Sequence, residues 1–420
     1  RPIRVCHVSS GADFGWRTGS GKWPVYYPDN LPPVVGLRQG SPTGVLMGKD
    51  LTFPASYQDG LFVLDWSFGT IYFVDLQPEG STYHGETSEF LAGTPLPVTD
   101  AIAGKDGAMY FLTGGRRLGS HLYRLRYTGP DAPAKAALAD GGEAPELRAL
   151  RRTLEAYHGV QAPEAVETVW PHLNHPDRFV RYAARLALEH QPLSEWQERL
   201  WQETDPVRQV QGVIALARHP AGGDRDKALE LLHAIDWDDL SRAQRFDLLR
   251  AYSLLFIRMG KPAPAQRQRL IARLQPFFPA DDPFLDRELS QLLVYLGDEG
   301  ATAACLDLLE QYAADTVAVN PNLLSGDVTD RSEQYGPTIQ GILDSMPPTE
   351  SIHYAVLLSR TDRGWDKAMR ERYFDWFFEA LNRKGGMSYK GFLDNIRLAA
   401  LDRVPESDRE YFRERSGIFS

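Results

Sequence analysis

The chain has 420 residues, enough for two or three domains, and a net charge of −10. No apolar run approaches the roughly 18 residues that span a bilayer, so no membrane span is expected in this sequence. Residues 1–129 balance 11 Lys/Arg against 11 Asp/Glu, whereas the remainder holds 35 against 45, which argues against nucleic acid as a partner.

The sequence starts at Arg1 with no charged-then-apolar leader, and the expectation is a longer parent polypeptide. Cys6 and Cys305 read as lone thiols in different domains rather than as a bridge. Near the start, Gly19-Ser20-Gly21-Lys22 invites a nucleotide-binding reading. A P-loop needs an earlier Gly five positions before Gly21 and a Ser or Thr after the lysine. Here those places hold Trp16 and Trp23, and the prolines at 28, 32 and 33 forbid the helix that would cradle phosphate. The segment reads as a loop between strands.

The first 129 residues hold 19 of the 36 glycines together with 18 aromatic residues, a composition of strands and turns. Four runs read as strands: GLFVLDW, TIYFVDL, AMYFLTG and HLYRLRYT. Asp59-Gly60 precedes the first and Asp106-Gly107 the third, 47 residues later, and each is expected to form a tight hairpin turn with a positive φ angle. A hairpin unit recurring every 40 to 50 residues or so is the period of a β-propeller blade. Residues 1–129 have room for only two to three blades, so the reading is the C-terminal part of a truncated propeller.

Residues 130–145 are rich in Pro, Ala and Gly and read as a linker. From 146 to 420 the pattern is that of short amphipathic helices. HPDRFVRYAARLALEH and TDPVRQVQGVIALARH each place an Asp just before the helix and Val-Arg in its first turn, at 180–181 and 207–208. The Asp is suited to cap the helix and the small residues to close stacking, which is the signature of HEAT-type repeats in an α-solenoid. Further helices are expected at 224–234, 241–259, 265–275, 284–296, 299–313, 335–345, 365–382 and 389–402, with loops at 279–283, 320–330 and 384–388.

GADFGWRTGSGKWPVYYPDNLPPVV, SPTGVLMGKDLTFPASYQDGLFVLDWSFGTIYFVDL and TDAIAGKDGAMYFLTGGRR together resemble the last blades of a large propeller. That propeller belongs to multidomain secreted proteins of planctomycete-type bacteria, distantly similar to soluble quinoprotein sugar dehydrogenases. RELSQLLVYLGD, IHYAVLLSRTDRGWDKAMRERYFDWF and GGMSYKGFLDNIR resemble the HEAT-like region that follows in those proteins. The resemblance implies a periplasmic or cell-surface location and redox work on sugars or related alcohols. It also implies a c-type haem domain beyond Ser420, because no Cys-x-x-Cys-His occurs in this chain. Quinone-binding relatives hold PQQ with basic side chains ahead of the strand that carries Asp100 and in the preceding blade. The matching positions here are Pro97, Thr99 and Trp66-Ser67, which depart from that pattern and lack its basic side chains.

Arg17, Lys22, Arg116 and Arg117 are candidate contacts for an acidic ligand or sulfated glycan, against a reading as solvated turn residues. Trp16, Trp23 and Trp66 are suited to stack on sugar rings, against packing between blades. Asp65 and Asp100 are candidates for calcium binding or acid/base chemistry, against turn capping. His172 and His175 have a helical metal spacing that Pro176 interrupts, and Asp327 and Asp330 lack the order of a calcium loop. Three functions stay open: part of a haem-linked oxidoreductase, a non-catalytic scaffold for glycans or proteins, and a hydrolytic or lyase propeller with its catalytic residues upstream.

Overall fold

Residues 61–64 and 71–74 are apolar without alternation because that part of their sheet is buried on both faces. The computed structural model describes residues 2–17, 21–129, 144–314, 330–331, 336–343, 349–383 and 388–417. Its strands are β1 (Pro2–Val5), β2 (Trp16–Arg17), β3 (Gly21–Lys22), β4 (Val35–Gln39), β5 (Pro42–Met47) and β6 (Leu61–Asp65). They continue as β7 (Thr70–Glu79), β8 (Thr82–Ala92), β9 (Val98–Ala103), β10 (Met109–Gly115) and β11 (Leu118–Leu125). All pairings are antiparallel: β1 with β4, a meander in the order β5-β6-β7-β8, a second in the order β9-β10-β11, and the short ladder of β2 with β3.

Alternate residues of β6 and β7 enter two different cores. Phe62, Leu64, Ile71 and Phe73 pack with Val98, Met109 and Phe111 of the β9–β11 sheet. Val63, Tyr72 and Val74 pack with Ile3 and Leu37 of β1 and β4. Each such side chain contributes about 1.5–3 kcal/mol on full burial. The β5–β8 and β9–β11 sheets approach each other along β5 and β9.

The two Asp-Gly pairs part company. Gly107 has φ +73° in the tight β9–β10 turn, with Gly104 N–H donating to the Ala108 carbonyl at 2.8 Å. Asp59-Gly60 is not a hairpin turn, because two 3-10 turns, Gly48–Asp50 and Ala55–Tyr57, separate β5 from β6. Gly60 is needed for space instead: a Cβ there would lie 2.3 Å from the ring of Phe73.

Contacts divide the chain into two units. The first takes in the strands and continues through His190 with α1 (Ala144–Glu155), α2 (Ala165–Val169) and α3 (Arg178–Glu189). Of the expected linker, residues 130–143 lie outside the described residues. Asp177 caps α3, accepting from the N–H groups of Phe179 and Val180, and the Val180, Ala183, Ala184, Ala187 and Leu188 face is buried.

The second unit contains Tyr26–Pro28 and the helices from Gln191 onward, apart from residues 336–340, which cluster with the first unit. These are α4 (Leu193–Gln202), α5 (Pro206–Arg218), α6 (Arg225–His233), α7 (Arg242–Met259), α8 (Pro264–Leu274), α9 (Pro283–Leu296) and α10 (Gly300–Ala314). After α11 (Gly336–Leu343) come α12 (Thr349–Leu358), α13 (Lys367–Leu381), α14 (Tyr389–Leu401) and α15 (Arg409–Arg415). Asp205 caps α5 through the Arg208 N–H, and Ser241 and Gln244 form a capping box at the start of α7. α5, α7 and α9 pack side by side, while α4, α6 and α8 each pack on the helix that follows. The expected helices from α6 through α11, together with α13 and α14, lie within two residues of the observed spans. α4 is not among the expected helices, although Leu193, Trp196 and Leu200 recur at helical spacing and the last two are buried.

Candidate functional site

The turn that follows β6 is organised by a buried carboxylate. Asp65 is fully buried and accepts from the N–H groups of Ser41 at 2.7 Å and Ser67 at 3.0 Å. Burial pushes its pKa up to about 6, against the opposing pull of those hydrogen bonds. This pattern is that of a turn cap. It fixes the next residue, Trp66, whose N–H donates to the Ser41 carbonyl at 3.0 Å.

Trp66 meets the neighbouring sheet. Its indole Nε1 donates to the Gly114 carbonyl of β10 at 2.7 Å, and the Arg116 guanidinium lies 5.4 Å from the indole centroid. Arg116 and Arg117 are the two central residues of the β10–β11 hairpin, between the paired Gly115 and Leu118. Their φ angles are +48° and +71°. Positive φ at both central residues is the requirement of a type I′ turn, where Asn-Gly ordinarily stands. An L-residue with a long side chain costs about 1–2 kcal/mol there. The fold thus holds two adjacent arginines in an unfavourable backbone conformation, the first of them beside an indole.

The remaining candidates lie elsewhere. Arg17 is paired with Asp13, at 2.6 Å between Nη2 and Oδ2, and its guanidinium covers one face of Trp23 at 3.7 Å from the ring centroid. Trp16 is half exposed on the short β2–β3 ladder, opposite Lys22, whose side chain lies outside the description. Asp100 is exposed on β9, where Oδ1 accepts from the Ala101 N–H at 2.9 Å. It sits on a different sheet from Asp65, and each carboxylate serves its local backbone. Of the nine candidate residues, the structure therefore brings together Asp65, Trp66 and the Arg116–Arg117 hairpin, and groups Arg17 with Trp23 separately. The positive φ of the arginine pair was missed by sequence reasoning, although GGRRLG between two strand runs leaves room only for a two-residue turn.

The positions matching quinone contacts offer no cation: Pro97 is buried, Thr99 donates to the Leu112 carbonyl at 3.1 Å, and Trp66 is bound to Gly114. They do not fit an acidic quinone. His175 accepts the Asp177 N–H on Nδ1 at 3.0 Å, a local capping role. Asp327 lies outside the described residues. Among the described residues, no group of three or more His, Cys, Asp or Glu is placed to hold a metal, and no helix is long and apolar enough to cross a membrane. Comparison with protein-family models, with curated proteins and with solved structures finds no match to this chain.

Proposed function

We propose that this chain is a binding scaffold whose sheets are successive blades of a β-propeller and whose helices are HEAT-type pairs. In this reading the hairpin ends carrying Trp66, Arg116 and Arg117 hold an anionic glycan. The observation that carries it is the arginine pair at positive φ, with Arg116 beside an indole: backbone strain kept at a surface tip is typical of a site under functional selection.

Four features support the architecture. The β1/β4, β5–β8 and β9–β11 sheets are layered through two shared cores. The two meanders approach along β5 and β9, as the inner strands of radial blades do. The outward face of the β9–β11 sheet exposes Ile102, Leu112 and Leu122, as expected of a face that another blade covers in a ring. In the second unit, the alternation of α4, α6 and α8 with the side-by-side α5, α7 and α9 supports a helical repeat. The resemblance would make the scaffold the non-catalytic part of a periplasmic or surface oxidoreductase, with its haem in a further domain.

The test is an array of sulfated, uronic-acid and neutral glycans probed with the full chain, the R116N/R117G variant and W66A. Retention of sulfated or uronic glycans by the parent chain and its loss in both variants is expected. Equal binding by R116N/R117G would overturn the reading, because that variant keeps the turn and removes only the cations.

A further inference from the structure

A cavity in the helical unit is lined by residues that no spacing in the sequence connects. The ends of α7, α9 and α12 surround this cavity of about 500 Å³. Buried Phe256 and Leu292 line it, and Ile257 and Tyr295 stand at its walls 68% and 42% exposed. Apolar side chains partly open to solvent around a cavity are ordinary for a ligand site.

The polar lining is biased. Lys261, Arg360 and Arg363 are exposed around the cavity, and Asp362 is the single acid in its lining. Among the described residues none of these three cations makes an ion pair, in a chain whose net charge is −10. The Lys261 ammonium lies 5.1 Å from the Tyr295 ring centroid. Partial burial, then the Arg267 and Arg363 charges, hold it below the ordinary lysine range, as expected where cations crowd together.

Helix-end electrostatics does not account for this arrangement. The C-terminal carbonyls of α7 are already served by Arg225, whose Nη1 donates to Met259 at 3.3 Å and to Lys261 at 3.0 Å. α9 ends on Gly297, whose N–H and that of Asp298 return to the Leu293 carbonyl. The loop that carries the arginines is also fixed: Thr302 Oγ1 donates to the Arg363 carbonyl at 2.8 Å, and Trp365 Nε1 to Thr361 at 3.0 Å. These bonds fix the backbone from which the two arginine side chains extend, so the loop itself need not be ordered when a ligand binds.

We infer that this cavity binds a small organic anion, a carboxylate or sulfonate with an aromatic or aliphatic body. The body lies against Phe256, Leu292 and Ile257, and the anion meets Lys261, Arg360 and Arg363. The inference is independent of the hairpin-end reading, since every residue in it belongs to the other unit.

The experiment is calorimetric titration of the full chain with matched pairs, naphthalene-2-carboxylate against 2-naphthamide and octanoate against octanamide. The anion of each pair is expected to bind about tenfold more tightly or better, with affinity falling as salt rises. K261Q/R363Q removes the preference, R360Q weakens it, and neither moves the melting temperature, because all three side chains are exposed. Equal affinity for acid and amide would overturn the proposal. So would an unchanged preference in K261Q/R363Q, or no saturation by any of the four probes in the millimolar range.

Discussion

Asp177 ties the β7–β8 turn to the start of α3 by way of Ser81. Its Oδ1 accepts from the N–H groups of Phe179 and Val180, both at 2.9 Å, and from the Ser81 hydroxyl at 2.7 Å, while Oδ2 accepts the Ser81 N–H at 2.7 Å. Ser81 is fully buried, so water cannot replace the missing acceptor. D177A is therefore expected to cost about 2–4 kcal/mol, a lost cap of about 1 plus an unsatisfied buried donor. The urea midpoint measures it. A cost no larger than that of an isolated cap would show that the Ser81 contacts contribute nothing.

Asp65 makes stability depend on pH in the opposite sense to a salt-bridged carboxylate. Its folded pKa is raised to about 6 by burial, above the roughly 3.9 of an unfolded aspartate. Between those values the folded state binds the extra proton, so stability falls as pH rises through that window and is flat above it. The difference between the parent chain and D65N, followed from pH 4 to 7 or so, should grow by about 2–3 kcal/mol in favour of D65N. Asp286 is also raised, to about 6, and cancels in that difference. A pH-independent difference would mean that the Asp65 carboxyl is not held in its protonated form.

Arg116 and Arg117 should trade stability against binding. R116N/R117G places the preferred residues of a type I′ turn at φ +48° and +71° and is expected to stabilise the fold by about 1–2 kcal/mol. Thermal unfolding of the two chains side by side checks it. A lower melting temperature for R116N/R117G would mean that the arginine side chains make contacts that outweigh their backbone strain.

Helix positions were legible where apolar periodicity and a cap coincide: Ser241 and Gln244 open α7 and the following stripe carries it to Met259. Strands β6 and β7 were legible as apolar runs, but not the reason for them, since burial on two faces requires partner sheets that no local pattern names. β8 was missed because it is paired through its backbone while Glu86, Thr87, Ser88 and Glu89 face solvent. Asp59-Gly60 misled because the same dipeptide that supplies positive φ at 106–107 supplies room for Phe73 at 59–60. At the hairpin ends the residue types stood out, but the approach of Trp66 to Arg116 depends on the stacking of two sheets. The cavity cations were illegible for a simpler reason: Lys261 and Arg360 are brought near one another only by the packing of α7, α9 and α12.

Glu288 should prove the most sensitive residue of the second unit. It is buried on α9, where Oε1 accepts from Tyr26 at 2.8 Å and Oε2 from Tyr27 at 3.0 Å, and the Arg250 guanidinium lies 4.1 Å from the Tyr27 ring centroid. Burial raises its pKa, and the two tyrosine hydroxyls and then Arg250 pull it back. E288A leaves two phenols without an acceptor and the Arg250 charge less compensated, a loss of about 3–5 kcal/mol. E288Q keeps acceptor oxygen for one phenol and should cost clearly less. The cycle of Y27F, E288Q and Y27F/E288Q should return a coupling of about 1–2 kcal/mol, since the hydroxyl and the carboxylate act on each other directly. Additive costs in that cycle would mean that the anchoring of Tyr26–Pro28 rests on ring packing against Phe246, at 4.2 Å from Tyr26, and not on the carboxylate.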